Sequence, residues 1–285
     1  MALPQMLYRT ALRALRVLSP LLMKGESKLA RGLRGRSDAH ERLIAWGRQG
    51  STDGESREGP VIWVHASSVG ESLQARAVIR VLRGRIAGLR VVSTFFSPSA
   101  EELGGDFPAD VRAYLPWDVP EVMGLVLDAL KPSLIVFTQR EVWPTLVDQA
   151  TARDVPTVLV AGTLPKGAGR LSRAGRVLLG PAFRSLRSVA TVSEEDADRF
   201  GLLGVNRDRV SVTGDPGIDV ARDRAAAVDH DSPHMRIFGE NLQHFRADHL
   251  QGEDVQDGGG PILVAGSTWP SDLDVLLPAL ARVRE

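Results

Sequence analysis

Short apolar runs alternate with longer stretches of helical spacing between residues 60 and 220. The apolar runs predict strands at 61–66, 90–96, 133–138, 156–161, 189–193 and 209–213, with a weaker one at 110–116. The stretches between them predict helices over 71–84, 119–130, 141–153, 171–187 and 194–203. Because the strands are apolar almost throughout, both faces of the sheet should be covered by helices. The pattern therefore predicts a doubly wound α/β domain with a parallel sheet.

The first 50 residues have a different pattern, that of a basic amphipathic helix followed by more basic residues. At helical spacing Arg9, Arg13 and Arg16 share one narrow arc. The opposite face carries Leu7, Ala11, Leu15, Leu18 and Leu22. The three arginines and Pro20 argue against a transmembrane span, and the absence of a small-residue cleavage site argues against a signal peptide. Two interpretations stay open: a helix lying on an anionic membrane surface, which the basic excess favours, or a helix packed on the domain itself.

The pattern changes again after residue 228. Residues 229–260 are polar and end in three glycines, as expected of a linker. A strand, turn and helix pattern then restarts and is expected to be the start of a truncated second α/β domain. The predicted division is 1–50 (membrane-associating helical segment), 51–228 (first α/β domain), 229–260 (linker) and 261–285 (second domain).

Composition excludes several classes of function. Among 285 residues, 35 basic and 35 acidic side chains balance, and aromatic residues make up only 5%, so no nucleic-acid partner is predicted. The chain has no cysteine, which excludes disulfides, thiolate metal sites and cysteine nucleophiles. His230 and His234 have the spacing of metal ligands on a helix, but Pro233 and the scattered acids argue against a site. We predict neither a metal nor a cofactor.

The turn after the first strand, SSVGE at residues 67–71, is the strongest candidate for chemistry because ligands bind at the carboxyl ends of parallel strands. Gly70 would let a ligand approach the backbone closely. Glu71 has two interpretations. It completes a capping box with Ser68, or it is a general base whose ionised, proton-accepting form is favoured by the N–H dipoles of the helix start. His65, just before the turn, is either a substrate donor or, more usually, a core histidine.

Two further residues have local structural interpretations. Asp118, shortly before Pro120, is expected to cap the helix that follows it. Trp143 and Pro144 are expected to start a helix, with Pro144 in its first turn.

Six stretches, in order, resemble segments of the bacterial 3-deoxy-D-manno-octulosonic acid (Kdo) transferases. HASSVGES resembles their HSVSVGE segment, AYLPWDVPE their YLP-x-D-x-P segment and PSLIVFTQREVWPTLV their ETELWPNL segment. SEEDADRFGLLG, VSVTGDPGID and ILVAGSTWPSDLD resemble the EEDA-x-RF-x-x-LG, VTG-x-L-K-F-D and A-x-ST-H-x-GEE segments. The resemblance covers residues 5 to about 280, and the six segments together are specific to this family.

The resemblance implies a two-domain GT-B glycosyltransferase on the cytoplasmic face of a bacterial inner membrane. Such an enzyme moves Kdo from CMP-Kdo to a lipid A precursor, with inversion and without a metal. Its Rossmann-like first domain takes the acceptor, and its general base falls on Glu71. Ser67, Ser68, Gly70, Gln139 and Glu141 would line the acceptor side. The 285 residues alone are expected to be inactive without the remainder of the donor domain.

The chain departs from the family pattern at four positions. The first glutamate of the ETELWPN segment, which stabilises the transition state in the family, is Gln139. The lysine with the same role is Gly217, an arginine is Thr163, and a histidine is Pro270. Gln139 can form hydrogen bonds but carries no charge, and Gly217 cannot replace a cation. These departures motivate an alternative, a divergent or inactive relative that binds or glycosylates another lipid-linked sugar.

Overall fold

A computed structural model describes residues 3–49, 59–103, 107–229, 231–233, 235–236, 265–266 and 268–283. The chain divides into two compact units, Met1–Ala226 and Ala227–Glu285. The helices of the first unit are α1 (Leu3–Leu22), α2 (Lys28–Arg48), α3 (Val69–Arg85), α4 (Pro98–Glu101), α5 (Pro120–Leu130), α6 (Pro144–Thr151), α7 (Arg173–Ser185), α8 (Glu194–Leu202) and α9 (Pro216–Ala226). Its strands are β1 (Val61–His65), β2 (Arg90–Phe95), β3 (Val111–Tyr114), β4 (Leu134–Thr138), β5 (Thr157–Gly162), β6 (Ser188–Thr191) and β7 (Val210–Val212).

The described strands form one parallel sheet in the order β3-β2-β1-β4-β5-β6-β7. Alternate residues of β1 enter two separate cores: Val61 and Trp63 on one face, Ile62 and Val64 on the other. Helices cover both faces, because α3 contributes to the second core, whereas α2, α5, α6 and α7 contribute to the first. The predicted doubly wound, Rossmann-like α/β fold is confirmed, including the weak strand.

The α2 helix packs tightly on the sheet edge and on α5. A side chain at Gly35 would place its Cβ 2.2 Å from the Tyr114 ring, and one at Gly47 would place it 2.7 Å from the Ala129 carbonyl oxygen. Glycine is therefore required at both positions, since no larger residue permits this approach. The sequence predicted helical structure in residues 1–50 but not this packing.

The α1 helix turns its arginine arc toward α5, α6 and the segment just before α5. Arg9 donates to Asp148 (2.5 Å), Arg13 to Glu121 (2.8 Å), and the Tyr8 hydroxyl to Asp118 (2.9 Å). The opposite face is open, with Leu3, Leu7, Leu18 and Leu21 each 53–70% exposed. The helix thus contacts the domain through its polar side and through Leu12, which packs on Trp117 and its neighbours. The opposite apolar face is not covered by described residues. Among the described helices, none is both long enough and apolar enough to cross a bilayer.

Asp118 does not cap its own helix, so that prediction is wrong. The N-cap of α5 is Val119, which makes no side-chain capping bond. Asp118 instead accepts the N–H groups of Thr145 (2.9 Å) and Leu146 (2.8 Å) and so caps the start of α6. A carboxylate distant in sequence satisfies these free N–H groups, since Trp143, the N-cap of α6, makes no side-chain capping bond. Pro144 occupies the first turn of α6, as expected.

In the second unit the described residues include one helix, α10 (Pro270–Val283). The strand predicted from residue 261, most of the predicted linker, and both His230 and His234 lie outside the described residues. The predicted division into domains stays a prediction.

Candidate active site

The candidate site lies where the strand order reverses. β1 and β4 are neighbours, yet the connections that follow them lead away in opposite directions along the sheet. In doubly wound folds this point opens a crevice at the carboxyl ends of the strands. The turn after β1 carries Ser67, Ser68 and Glu71, and the loop after β4 carries Gln139 and Glu141.

Glu71 is buried in the turn, with 5% of its surface exposed. Ser68 is the N-cap of α3, and its hydroxyl accepts the N–H of Glu71 at 3.4 Å. The Glu71 carboxylate accepts the N–H of Ser67, one residue before the cap, at 2.5 Å. Glu71 therefore takes part in capping the helix, as one of the two interpretations predicted.

The balance of forces on the Glu71 carboxyl differs from the expectation. Burial raises the pKa of Glu71 above its ordinary value, the Ser67 N–H opposes that rise, and the nearby Glu141 carboxylate adds to it. The prediction that N–H groups at the helix start favour the ionised form is confirmed, since those of Ser67 and Ser68 lower the pKa of Glu71. Desolvation, which the sequence did not predict, outweighs them. A carboxylate whose pKa is raised is a stronger base than an ordinary glutamate.

His65 links the two loops. The Trp143 ring N–H donates to His65 Nε2 at 3.0 Å. Since an indole N–H only donates, Nε2 is an acceptor and Nδ1 carries the proton, which it donates to the Thr94 hydroxyl at 3.0 Å. The Ser67 hydroxyl lies 3.0 Å from Nε2 and donates to it. One imidazole thus connects the turn that carries Glu71 to the loop that carries Glu141.

This histidine is neutral. It is fully buried, and burial, with repulsion from Arg36, lowers the pKa of His65 to about 3. Both ring nitrogens already contact the protein, so of the two interpretations the core histidine is confirmed.

In the loop after β4 the carboxylate is paired with an arginine, and a glutamine starts a chain of amide hydrogen bonds. Glu141 forms an ion pair with Arg170. Gln139 donates to the Gln74 side-chain oxygen at 2.9 Å, and Gln74 donates to Asp215 at 2.8 Å. Gln139 adopts a left-handed backbone with φ of +60°, a conformation that non-glycine residues rarely adopt.

Gly70 is exposed, and a Cβ added there would meet none of the described atoms within 4 Å. Packing therefore does not explain the glycine, and the predicted close approach of a ligand stays a prediction. Among the residues that the structure describes, no group of three or more His, Asp or Glu side chains is placed to bind a metal ion.

Comparison with protein-family models matches residues 38–220 to the 3-deoxy-D-manno-octulosonic-acid transferase (Kdo transferase) family. This chain belongs to that family. A Kdo transferase of Bordetella pertussis is 33% identical over 222 residues, which span 73% of this chain and 49% of that protein. One from Chlamydophila psittaci is 26% identical over 235 residues, spanning 79% and 49% of the two chains. The chain thus spans about half the length of these curated relatives.

Solved structures with a similar fold are more distant. A UDP-GlcNAc 2-epimerase from Neisseria meningitidis has a TM-score of 0.46 and 15% identity, covering 65% of this chain and 54% of that one. A putative UDP-N-acetylglucosamine 2-epimerase from Listeria monocytogenes has a TM-score of 0.49 and 12% identity, covering 65% and 51%. Nothing about the function of this Kdo-transferase family member follows from such weak likenesses.

The structure brings two of the four departures from the family pattern close together. Gln139 reaches Gln74, and Gly217 N–H donates to the same Asp215 oxygen that accepts from Gln74, at 2.7 Å. The positions to which the resemblance assigns a glutamate and a lysine are thus joined by uncharged donors ending on one carboxylate.

Several residues of the site carried no recognisable signal in the sequence. Gln74 lies one helical turn after Glu71, a spacing that places both on the same face of α3, and this was the one available indication. Arg170 lies 29 residues after its partner Glu141, and Arg36 belongs to a segment whose positive charge suggested a membrane instead. Each depends on tertiary contacts that single-sequence periodicity does not contain.

Proposed function

We propose that this chain carries the acceptor-binding side of a GT-B enzyme that transfers Kdo from CMP-Kdo to a lipid A precursor. The observation that supports this most is Glu71, a buried carboxylate with a raised pKa at the switch point of a Kdo-transferase family fold. It accepts the proton of an acceptor sugar hydroxyl, and the hydroxyl oxygen attacks the anomeric carbon of the donor. The bond between that carbon and the CMP phosphate oxygen breaks, and CMP leaves with the electron pair. Attack from the opposite face inverts the configuration, and no metal takes part.

The acceptor side would be lined by Ser67, Ser68 and Gly70 from the turn and by Gln139 from the neighbouring loop. Glu141 is neutralised by Arg170, so it is suited to orienting hydroxyls rather than to accepting a proton. Among the described residues Glu71 forms no ion pair, although Arg140 is close enough to oppose the rise in its pKa. The Glu71 carboxylate is therefore the better candidate for the base of the site.

A second candidate function follows from the amide chain Gln139–Gln74, which ends on the Asp215 carboxylate. A site without the family's charges at positions 139 and 217 would stabilise developing charge less well, commonly at a cost of about 10²–10³ in rate. The alternative is a relative that binds, or slowly glycosylates, a different lipid-linked sugar.

We also propose that α1 attaches the protein to the cytoplasmic face of the bacterial inner membrane. Its arginines at 9 and 13 pair with domain carboxylates, while its leucine face is exposed. An exposed apolar helix face of this kind binds a bilayer interface by burying its side chains among lipid acyl groups.

A transfer assay tests the proposed reaction. The complete product of the gene that encodes this chain is incubated with CMP-Kdo, a lipid A precursor and a chelator, and the Kdo-modified lipid is measured by mass spectrometry. We expect one or more Kdo residues to be added in the presence of the chelator. Absence of transfer together with retained binding of the lipid acceptor would support the second candidate instead.

Liposome flotation tests the attachment. Leu7→Ser and Leu18→Ser alter exposed side chains (61% and 53%), so the fold should tolerate them. We expect the double variant to float less with anionic vesicles than the matched control Leu202→Ser, whose side chain is 57% exposed on α8. Equal flotation of both variants would exclude the α1 face as the attachment site.

A further inference from the structure

Phe96 is an exposed aromatic residue beside the turn that carries Glu71. It follows β2 directly, and its side chain is 42% exposed. Its N–H donates to the Ser67 carbonyl oxygen at 3.1 Å, and the Ser67 N–H donates to the Glu71 carboxylate at 2.5 Å. The Phe96 backbone is therefore two hydrogen bonds away from the proposed base.

A buried cation lies under the Phe96 ring. The guanidinium carbon of Arg36 is 3.6 Å from the ring centroid, and Arg36 is only 8% exposed. Its Nη2 has no hydrogen-bond partner among the described residues. Burying a charged group with an unpaired donor is costly, and the contact with the face of Phe96 offsets part of that cost. The same contact fixes the ring in place, since Arg36 itself is held among buried groups.

Trp143 lies beside this pair and does not cover the outer face of Phe96. The Trp143 ring is nearly parallel to Phe96, at 21°, with centroids 5.6 Å apart. It is also 5.6 Å from the Arg36 guanidinium carbon, whereas Arg36 is 3.6 Å from Phe96. An indole over the opposite face of Phe96 would be much farther from Arg36 than from Phe96. The equal distances therefore place Trp143 alongside Phe96, on the Arg36 side, and leave the outer face open.

We propose that the outer face of Phe96 binds a pyranose ring of the acceptor by stacking, next to Glu71. This inference rests on the proposed function and names the part of the acceptor that the site recognises. A pyranose presents a flat face of C–H groups, and covering it with an aromatic ring removes apolar surface from both partners. Its hydroxyls would then be oriented by the polar groups of the turn. Sugar-sized ligands are commonly bound by such a combination of an aromatic side chain and a few polar groups.

The surroundings of Phe96 favour a sugar ring over an acyl chain. Ser67 and Ser97 flank the ring and Arg36 lies below it, so the apolar surface is interrupted on these sides. It continues only toward the partly buried Trp143 ring beside it. An acyl chain needs continuous apolar contact along its length, whereas a single ring is covered by one aromatic face.

The first experiment measures binding without transfer. Saturation-transfer NMR on the 285-residue chain uses a soluble, unacylated disaccharide of glucosamine as probe. We expect transfer to the sugar C–H protons with the wild type and with Phe96→Tyr, and a loss with Phe96→Leu, which is apolar but not flat. The matched control Val81→Ala, at a site 53% exposed on α3, should bind as the wild type does. Equal binding by Phe96→Leu and the wild type would overturn the inference, as would binding of acylated acceptor alone.

The second experiment separates this inference from the proposed reaction. In the complete gene product, Phe96→Leu should raise the KM for the acceptor on the order of tenfold and change kcat little, because the contact is made before and during the reaction alike. Transfer with an unchanged acceptor KM in Phe96→Leu would overturn the stacking role and leave the reaction standing. Sugar binding that depends on Phe96, in a protein without Kdo transfer, would support the stacking role and overturn the reaction.

Discussion

The two loops at the switch point both place polar side chains at the partly buried carboxyl end of the sheet, but with different partners. The turn after β1 contains a buried carboxylate, Glu71. Ser67 connects this turn to the neutral imidazole of His65. The loop after β4 instead begins with Gln139, whose side-chain amide donates to Gln74 on α3. Gln74 in turn donates to Asp215. The first arrangement preserves a titratable group at the cost of burying it. The second joins the loops through uncharged amide donors and pairs its own carboxylate, Glu141, with Arg170.

The difference shows which part of the site the chain retains from its family. Resemblance places the general base at Glu71, and the fold places that residue at the switch point with a raised pKa. The charges that the resemblance assigns to positions 139 and 217 are absent, but Gln74 connects the two segments through hydrogen bonds to Gln139 and Asp215. In the proposed reaction, placement of the base and stabilisation of developing charge would therefore depend on different residues, which can be altered separately.

The largest effect is expected from removing the imidazole in the β1 arrangement. His65→Leu leaves the Trp143 N–H and the hydroxyls of Ser67 and Thr94 without their buried partner, which should cost roughly 2–4 kcal/mol in the free energy of unfolding. Denaturant titration of the 285-residue chain measures this. A change below about 0.5 kcal/mol would show that the turn does not depend on His65.

His65 should contribute to the acid dependence of stability. Its folded pKa of about 3 lies below the unfolded value of 6.5, so its contribution is complete above pH 6.5 and is lost as pH falls toward 3. Between pH 7.5 and 5 the loss should be about 2 kcal/mol. The raised pKa of Glu71 acts in the opposite direction, because protonation of that buried carboxyl favours the folded state as pH falls.

The comparison of wild type with His65→Gln isolates the histidine, since glutamine keeps an acceptor near the Nε2 position but does not titrate. The variant should lack this acid-induced loss. Histidine NMR provides a direct check: the His65 ring should remain neutral at pH 5, with its proton on Nδ1. Protonation of the ring above pH 6 would contradict the arrangement described.

A smaller effect on stability is expected from breaking the amide chain of Gln139 and Gln74. Gln74→Ala removes the hydrogen bonds to Gln139 and Asp215, both at part-buried positions, and should cost about 1 kcal/mol. Thermal unfolding of the variant and of the surface control Val81→Ala gives the comparison. A loss as large as that of His65→Leu would remove the contrast between the two loops.

The smallest effect is expected from Gln139→Gly. Glycine relieves the left-handed backbone at this residue, a gain of roughly 1 kcal/mol, but loses the hydrogen bond to Gln74, which is worth about the same. Net stability should stay within about 0.5 kcal/mol, measured by denaturant titration. A larger loss would indicate that the side chain of Gln139 has contacts beyond the amide chain.

Most of the fold was predictable because burial on both faces makes each central strand a recognisable apolar run. Even β3, which has the polar Arg112 near its centre, lies within the weaker strand predicted at residues 110–116. The short helix α4 was missed, since a four-residue helix has too few residues to show a period.

The site was predictable only in part. Local signals identified Ser68 as a cap and Glu71 as the acid of the turn, because both belong to one short motif. The direction of the pKa shift at Glu71 was not predictable, since it depends on how completely the rest of the fold removes water. Asp118 shows the same limit: its capping partner is α6 rather than the helix next to it in sequence.

The central claim is that Glu71 is a base and not merely a helix cap, and Glu71→Gln tests it most directly. Glutamine retains an oxygen that can accept the Ser67 N–H but cannot accept a proton from the acceptor. In the complete gene product, transfer of Kdo should fall by about 10²–10⁴, while the thermal midpoint stays near that of the wild type. Retained transfer, or a loss of transfer that merely follows a large loss of stability, would contradict this account.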